Sequence, residues 1–221
     1  RPLDVIRHFT PNWFAATNWV SGILPTSLLD ATIPAGTPYA PVIGSGSANC
    51  RDLVIASGAS LTLGNATLNA ARDVHMNGLL RMTDGNALLV AATNFYWHAG
   101  STADASSPWP RVDIYGILSL DAGTDANLTP FHFRFKGSSP GYIRSCDADC
   151  VLGWVENIKD TATYLGLSAI SVEPCRINYL YNNSGHTFKT FSSQEIQIGA
   201  YYLGTGGRLQ LDSGTLAFTD A

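Results

Sequence analysis

The sequence predicts an all-β chain wound as a parallel β-helix, or β-solenoid, with an N-terminal cap and an irregular insertion. Three observations lead there. Apolar and polar residues alternate in short runs, as at Leu61/Leu63, Leu80/Met82 and Leu118/Leu120 with Thr62, Arg81 and Ser119 between them; a period of two marks half-buried strands. The phrase V-x-[IM]-[NY]-G-x-L-x-[LM] occurs at residues 74–82 and again at 112–120, and self-similarity is the sequence signature of a stack. Glycines at 58, 78, 100 and 116 punctuate the strands at spacings of 20, 22 and 16 residues, centred near one turn of a solenoid. A β-sandwich is the alternative, since its strands also alternate and recur every 8 to 12 residues or so. The repeated phrase favours the solenoid, because sandwich strands have no reason to resemble one another.

Residues 1–11 read as an extended arm in which Leu3, Val5 and Phe9 alternate; such a segment can add a strand to a neighbouring molecule. Residues 12–49 read as the cap. Trp13 and Trp19 are placed to cover the exposed end of the first rung, because a solenoid's terminal layer needs shielding. The solenoid itself is expected over 50–221. It opens with strand, glycine corner and strand at residues 50–63, and Asn65, Asn77, Asp84-Gly85-Asn86, Asn94 and Asp121 fall where turns need short polar side chains that bond the local backbone. Irregular structure is expected near 137–180, where Gly137-Ser138-Ser139-Pro140-Gly141 is a turn, Pro174 interrupts, and residues 160–167 suit a helical turn. Strands return at Glu195-Ile196-Gln197-Ile198 and Arg208-Leu209-Gln210-Leu211, and 215–221 still reads as strand. A stack ending in mid-pattern leaves an edge open to pairing.

Composition narrows the class of protein. Hydrophobic residues make up 45% of the 221 and charged ones only 14%, which suits an all-β chain with a weakly charged surface. A net charge of -4 gives no basic footprint for nucleic acid. No apolar run approaches the roughly 18 residues of a membrane span. The chain opens at Arg1-Pro2 rather than at methionine, which reads as a processed or trimmed chain and agrees with export.

The four cysteines, Cys50, Cys146, Cys150 and Cys175, allow three pairings. Cys146 and Cys150 are close enough to close a small loop; Cys50 with Cys175 would then tie early rungs to a later segment. An even count fits an oxidising compartment. Zinc is the poorer reading, because His8, His75, His98, His132 and His186 show no paired spacing.

At the N-terminus the order Trp13, Asn18, Trp19, Gly22, Pro25 is followed by Thr32-Ile33-Pro34-Ala35-Gly36 and Pro41-Val42-Ile43. Then come Asn49, Cys50, Leu53, Ile55, Gly58, Leu61 and Leu63. Over about residues 12–85 this resembles the start of the β-solenoid cell-surface proteins that Gram-negative bacteria export by the type IX route. The resemblance implies a secreted, extracellular protein of structural or adhesive type, without a catalytic centre and without agreed functional residues to carry over.

Candidate contact residues come from the loops. Phe95-Tyr96-Trp97-His98 and Pro108-Trp109-Pro110 lie in or beside the longest early loop, where stacked scaffolds place recognition. A ligand groove along the stack would use Trp97, Trp109 and Tyr115 with some of Asp84, Asp104 and Asp113. Self-association and surface glycans are therefore the expected partners.

Parallel β-helices also carry polysaccharide lyases and glycosidases, and fold does not decide function. A glycosidase needs two carboxylates held about 5 to 9.5 Å apart; Asp147/Asp149, Asp121/Asp125 and Asp84 with Asp104 are the candidates, none in a phrase typical of such enzymes. Gly185-His186-Thr187 is only part of a G-H-G phrase, and no adjacent Asp-Asp pair exists. No catalytic residue and no cofactor are expected. Calcium at Asp147-Ala148-Asp149 is the one cation with a place offered, and a solvated acidic turn is the simpler account. Asp160-Thr161-Ala162 matches a short phrase used for O-linked glycans.

Overall fold

The computed structural model describes residues 3–5, 10–124, 128–145, 151–160, 163–167, 175–190, 195–211 and 215–218. Among them the chain is an all-β parallel solenoid of about 8 turns. After β1 (Leu3–Val5), the first turns are built from β2 (Asp30–Ile33), β3 (Val42–Cys50), β4 (Leu53–Ile55), β5 (Ser60–Ala70), β6 (Val74–Met76), β7 (Leu79–Met82) and β8 (Leu88–Ala91). The middle holds β9 (Phe95–Trp97), β10 (Thr102–Ala105), β11 (Arg111–Ile114), β12 (Ile117–Leu120), β13 (His132–Gly137), β14 (Gly141–Ser145) and β15 (Val151–Lys159). The last turns are β16 (Tyr164–Leu167), β17 (Cys175–Asn182), β18 (Thr187–Thr190), β19 (Glu195–Leu203), β20 (Arg208–Leu211) and β21 (Thr215–Phe218).

These strands form two parallel sheets. A ten-stranded sheet runs β1-β2-β4-β6-β9-β12-β14-β16-β18-β20, and an 11-stranded sheet runs β10-β7-β5-β8-β11-β13-β15-β17-β19-β21, with β3 on β5. The second sheet is folded along its length. Ser60 to Leu63 pair with β7 while Thr67 to Ala70 pair with β8, so β5 turns a corner and the coil has three faces. Gly64 stands at that bend, where a Cβ would lie 2.7 Å from the Gly44 carbonyl oxygen.

Register fixes the period. Leu53 stacks on Val74, Val74 on Phe95, and Phe95 on Leu118. Inward residues of successive coils therefore form continuous columns, and Ile55, Met76, Trp97 and Leu120 make a second one beside the first. All of these are at most 1% exposed, because each layer about 4.8 Å on is covered by the next.

The corner glycines divide into two sets. Gly36, Gly58, Gly100 and Gly123 all have φ between 72 and 80, at 73, 78, 74 and 79 degrees, and all follow strands of the ten-stranded sheet. Gly116 sits at a different corner, between β11 and β12, which explains its short spacing of 16. The two copies of the repeated phrase likewise cross opposite corners: 74–82 leaves the ten-stranded sheet and 112–120 enters it. The phrase reports strand, glycine corner and strand, not the coil period.

The N-terminal layer is tightly pinned. Trp13 and Trp19 are 1% and 2% exposed and meet edge to face at 4.8 Å, and the Trp19 indole donates to the Trp13 carbonyl. Asn18 accepts from the Thr10 amide and donates to the carbonyls of Thr10 and Asn12. Within 12–49, β2 and β3 are already strands of the stack. The arm strand β1 is paired in parallel with β2 of its own chain, and Val5 also accepts from the Val20 amide. β1 is thus the terminal strand of the ten-stranded sheet; Phe9 lies outside the described residues.

Near 137–180 the solenoid strands continue as β14, β15, β16 and β17. Residues 164–167 are strand rather than a helical turn, since Leu165 and Leu167 point into the core. Cys50 is a free, buried thiol. It lies in β3, and five strands stand between β3 and the β17 that carries Cys175, about 4.8 Å of rise each. A Cys50–Cys175 bridge is overturned by that separation, far beyond the roughly 7 Å that a disulfide spans between Cα atoms. Cys146 and Cys150, with Asp147 and Asp149, lie outside the described residues.

Candidate functional site

The outer side of the face formed by β8, β11, β13 and the C-terminal halves of β15, β17 and β19 carries most of the chemistry. Alternation along each strand sends every second side chain outward, and the register stacks them in columns. One column runs Leu88, Arg111, His132, Trp154, Tyr179. Its neighbour runs Val90, Asp113, Arg134, Glu156, Tyr181, Tyr202. The upper part of the face is charged and the lower part aromatic.

In the charged part the ion pairs are short and well sheltered. Arg134 donates from Nε and Nη2 to the two carboxylate oxygens of Asp113 at 2.6 and 2.8 Å, and Lys136 Nζ lies 2.7 Å from the same carboxylate. Asp113 is only 3% exposed, so both of its partners are needed to offset desolvation. His132 Nε2 stands 3.1 Å from Glu156 Oε2. That ring, together with the Asn183 amide, holds the Glu156 carboxyl below the usual range.

The aromatic part is a continuous cluster. Trp154 packs against His132, Tyr179 and Tyr181, with centroids 5.2, 5.9 and 6.5 Å away, and Tyr181 against Tyr202 at 6.0 Å. Trp109 leans over them from the turn before β11, edge-on to Trp154 at 5.5 Å and to Tyr179 at 6.1 Å. Among the described residues it is the one non-glycine with positive φ, at 67 degrees. A bulky side chain in that region is strained by about 1–3 kcal/mol. Its flanking prolines and the hydrogen bond that the Trp109 backbone N–H donates to the Pro130 carbonyl hold it there, with 39% of the residue left exposed.

The expected contact residues separate. Trp109 and Tyr115 both lie on this face. Tyr115, 39% exposed, walls a shallow cavity of about 400 Å³ with Ala92, Thr93, Gly137 and Pro140. Trp97 is removed from any surface contact: it is fully buried and stacked on Phe95 in the core. Asp113 joins the face, whereas Asp104 pairs with Arg81 at 3.0 Å on another face and Asp84 receives the Asn86 amide in a turn. Trp154, Tyr179, Tyr181 and Tyr202 had no place in the sequence reading. The spacing of 25 between Trp154 and Tyr179, one coil apart, was the available signal.

A second polar cluster lies on the ten-stranded sheet. The His75 and His98 rings are nearly coplanar, with Nδ1 of one 3.2 Å from Nε2 of the other, and His98 Nδ1 is 2.8 Å from Asp121 Oδ2. Tyr96 stacks on His75 at 4.7 Å. Among the described residues no group of three or more His, Cys, Asp or Glu side chains is arranged to hold a metal ion.

No protein-family model matches the chain, and neither a curated protein nor a solved structure matches it.

Proposed function

We propose that this chain is a secreted, non-enzymatic adhesive module of a bacterial surface, binding polysaccharide along the aromatic part of its third face. The observation that carries the reading is Trp109: a strained, half-exposed indole fixed over a platform of Trp154, Tyr179 and Tyr181. Strain of this kind persists where the surroundings enforce it and concentrates at functional sites. Sugar rings stack on such surfaces through their C–H faces, and hydroxyls find donors and acceptors in the adjoining His132, Glu156 and Asn183. Both carboxylates of the face are engaged, Asp113 by Arg134 and Lys136 and Glu156 by His132, which supports binding rather than acid–base cleavage. The N-terminal resemblance supports export to the cell surface.

A glycan array probed with the parent protein and with Trp154→Ala tests this. Binding to at least one polysaccharide class that the substitution abolishes is expected; the absence of any glycan binding, or binding indifferent to Trp154, would sink the reading.

A structural role is the second reading, favoured by one observation. In β20 and β21 Leu211 and Phe218 are 41% and 65% exposed, an apolar surface that a second copy of the chain can cover. Electron microscopy over a concentration series tests it: filaments with a regular repeat would support assembly, and uniform single particles would remove it.

A further inference from the structure

Two N–H donors on the aromatic and charged face have no acceptor. Arg111 Nε and Trp154 Nε1 are both shielded from solvent and unpaired among the described residues. They belong to one column, with His132 between them. The neighbouring cations Arg134 and Lys136 are engaged by Asp113, and the His132 ring lies against Glu156, whereas no described carboxylate is within ion-pair distance of Arg111.

Buried donors are almost always satisfied in native proteins, so two orphans in one column beside a binding surface point to acceptors brought from outside. The local charge agrees. Arg111, Arg134 and Lys136 face Asp113 and Glu156, three cations against two carboxylates, on a chain whose net charge is -4. A guanidinium is the side chain best matched to a carboxylate, which it can take through two parallel hydrogen bonds.

We infer that the ligand is an acidic polysaccharide and that Arg111 reads the carboxylate of one of its uronate units, while the aromatic platform holds the adjoining rings. The inference rests on the polysaccharide-binding reading above and adds the ligand's charge. Arg111 is then the specificity residue, and the platform supplies affinity common to charged and neutral chains.

The test is calorimetric titration with polygalacturonate and alginate, each beside its carboxyl-reduced counterpart, for the parent, Arg111→Gln, Arg111→Lys and Trp154→Ala. Thermal melts of the same samples check folding. The parent should prefer the charged polymer, and Arg111→Gln should lose about tenfold or more of that affinity, the worth of a charge-assisted hydrogen bond, while its weaker binding of the reduced polymer stays unchanged. Arg111→Lys should restore part of the loss. Equal binding of charged and reduced polymers, or a folded Arg111→Gln with parental affinity, would overturn the role of Arg111 and leave the platform reading standing. Failure of every polymer to bind would remove both.

Discussion

Lys159 donates its buried ammonium to the backbone carbonyl of Tyr115, 44 residues earlier and two coils up the stack, and to the carbonyl of Lys136 between them. One side chain thus ties three successive corners, and it passes directly over Gly141, where any Cβ would collide with its Cε. Burial pushes the Lys159 amine down to about 8.

Lys159→Met is therefore expected to cost about 1–3 kcal/mol, since two sheltered carbonyls lose their donor. The pH dependence has a definite sign. Between about pH 8 and the ordinary lysine value of 10.5 the unfolded chain holds a proton that the folded chain has released, so stability rises with pH across that window. Below pH 8 both states are protonated and the burial penalty is fully present. Denaturant melts of parent and variant from pH 7 to 10.5 check this; parallel curves would contradict it. Gly141→Ala should also destabilise, whereas Gly44→Ala, with nothing within 4 Å of the added carbon, should stay within about 0.5 kcal/mol of the parent.

Trp109→Gly separates a binding role from a structural one. Relief of about 1–3 kcal/mol of backbone strain opposes the loss of two edge contacts worth about 0.5–1.5 kcal/mol each. Stability should change by no more than about 1–2 kcal/mol while glycan binding falls. A large drop in melting temperature with binding retained would show that the indole is there for packing.

His75 is held below its ordinary range, first by burial and then by His98, against the opposing pull of Asp73 and Asp52. The folded state therefore resists its protonation. Stability that is full above the unfolded value of about 6.5 should decline as pH falls below it, as the His75 to His98 hydrogen bond is lost. His75→Gln should show a flatter melting profile between pH 7.5 and 5; identical profiles would exclude the pair as the cause.

Burial, with Asp52 and Asp30 nearby, pushes the Cys50 thiol up. Maleimide followed by peptide mapping should leave Cys50 unmodified in the folded protein and label it in denaturant. Labelling under native conditions would contradict its place in the core.

Local pattern was readable from sequence where it depends on neighbours in the chain. The alternation at Leu61/Leu63 and Val74/Met76 locates strands because each strand buries one side. Trp97, read from sequence as a groove residue, is misplaced by that reading although the same rule applies to it: Phe95 and Trp97 sit two apart in one strand with Tyr96 outward between them, and two large apolar residues in one phase belong inside. Position around and along the stack was not legible. Gly100 and Gly116 occupy different corners that use the same strand-glycine-strand grammar. Coil length also varies, as in the steps of 21 from Arg111 to His132 and 25 from Val151 to Arg176, so the columns joining Arg111 to Trp154, or separating Cys50 from Cys175, exist only once the coils are counted.

The most direct measurement follows the indole and backbone amide resonances of the isotope-labelled protein as a bound oligosaccharide is titrated in. The account predicts that the largest shifts fall on Trp109, Trp154, Tyr179 and Arg111, with Trp13, Trp19 and Trp97 unmoved. Shifts centred on the His75 and Tyr96 surface or on the last coil, with the third face silent, would contradict it.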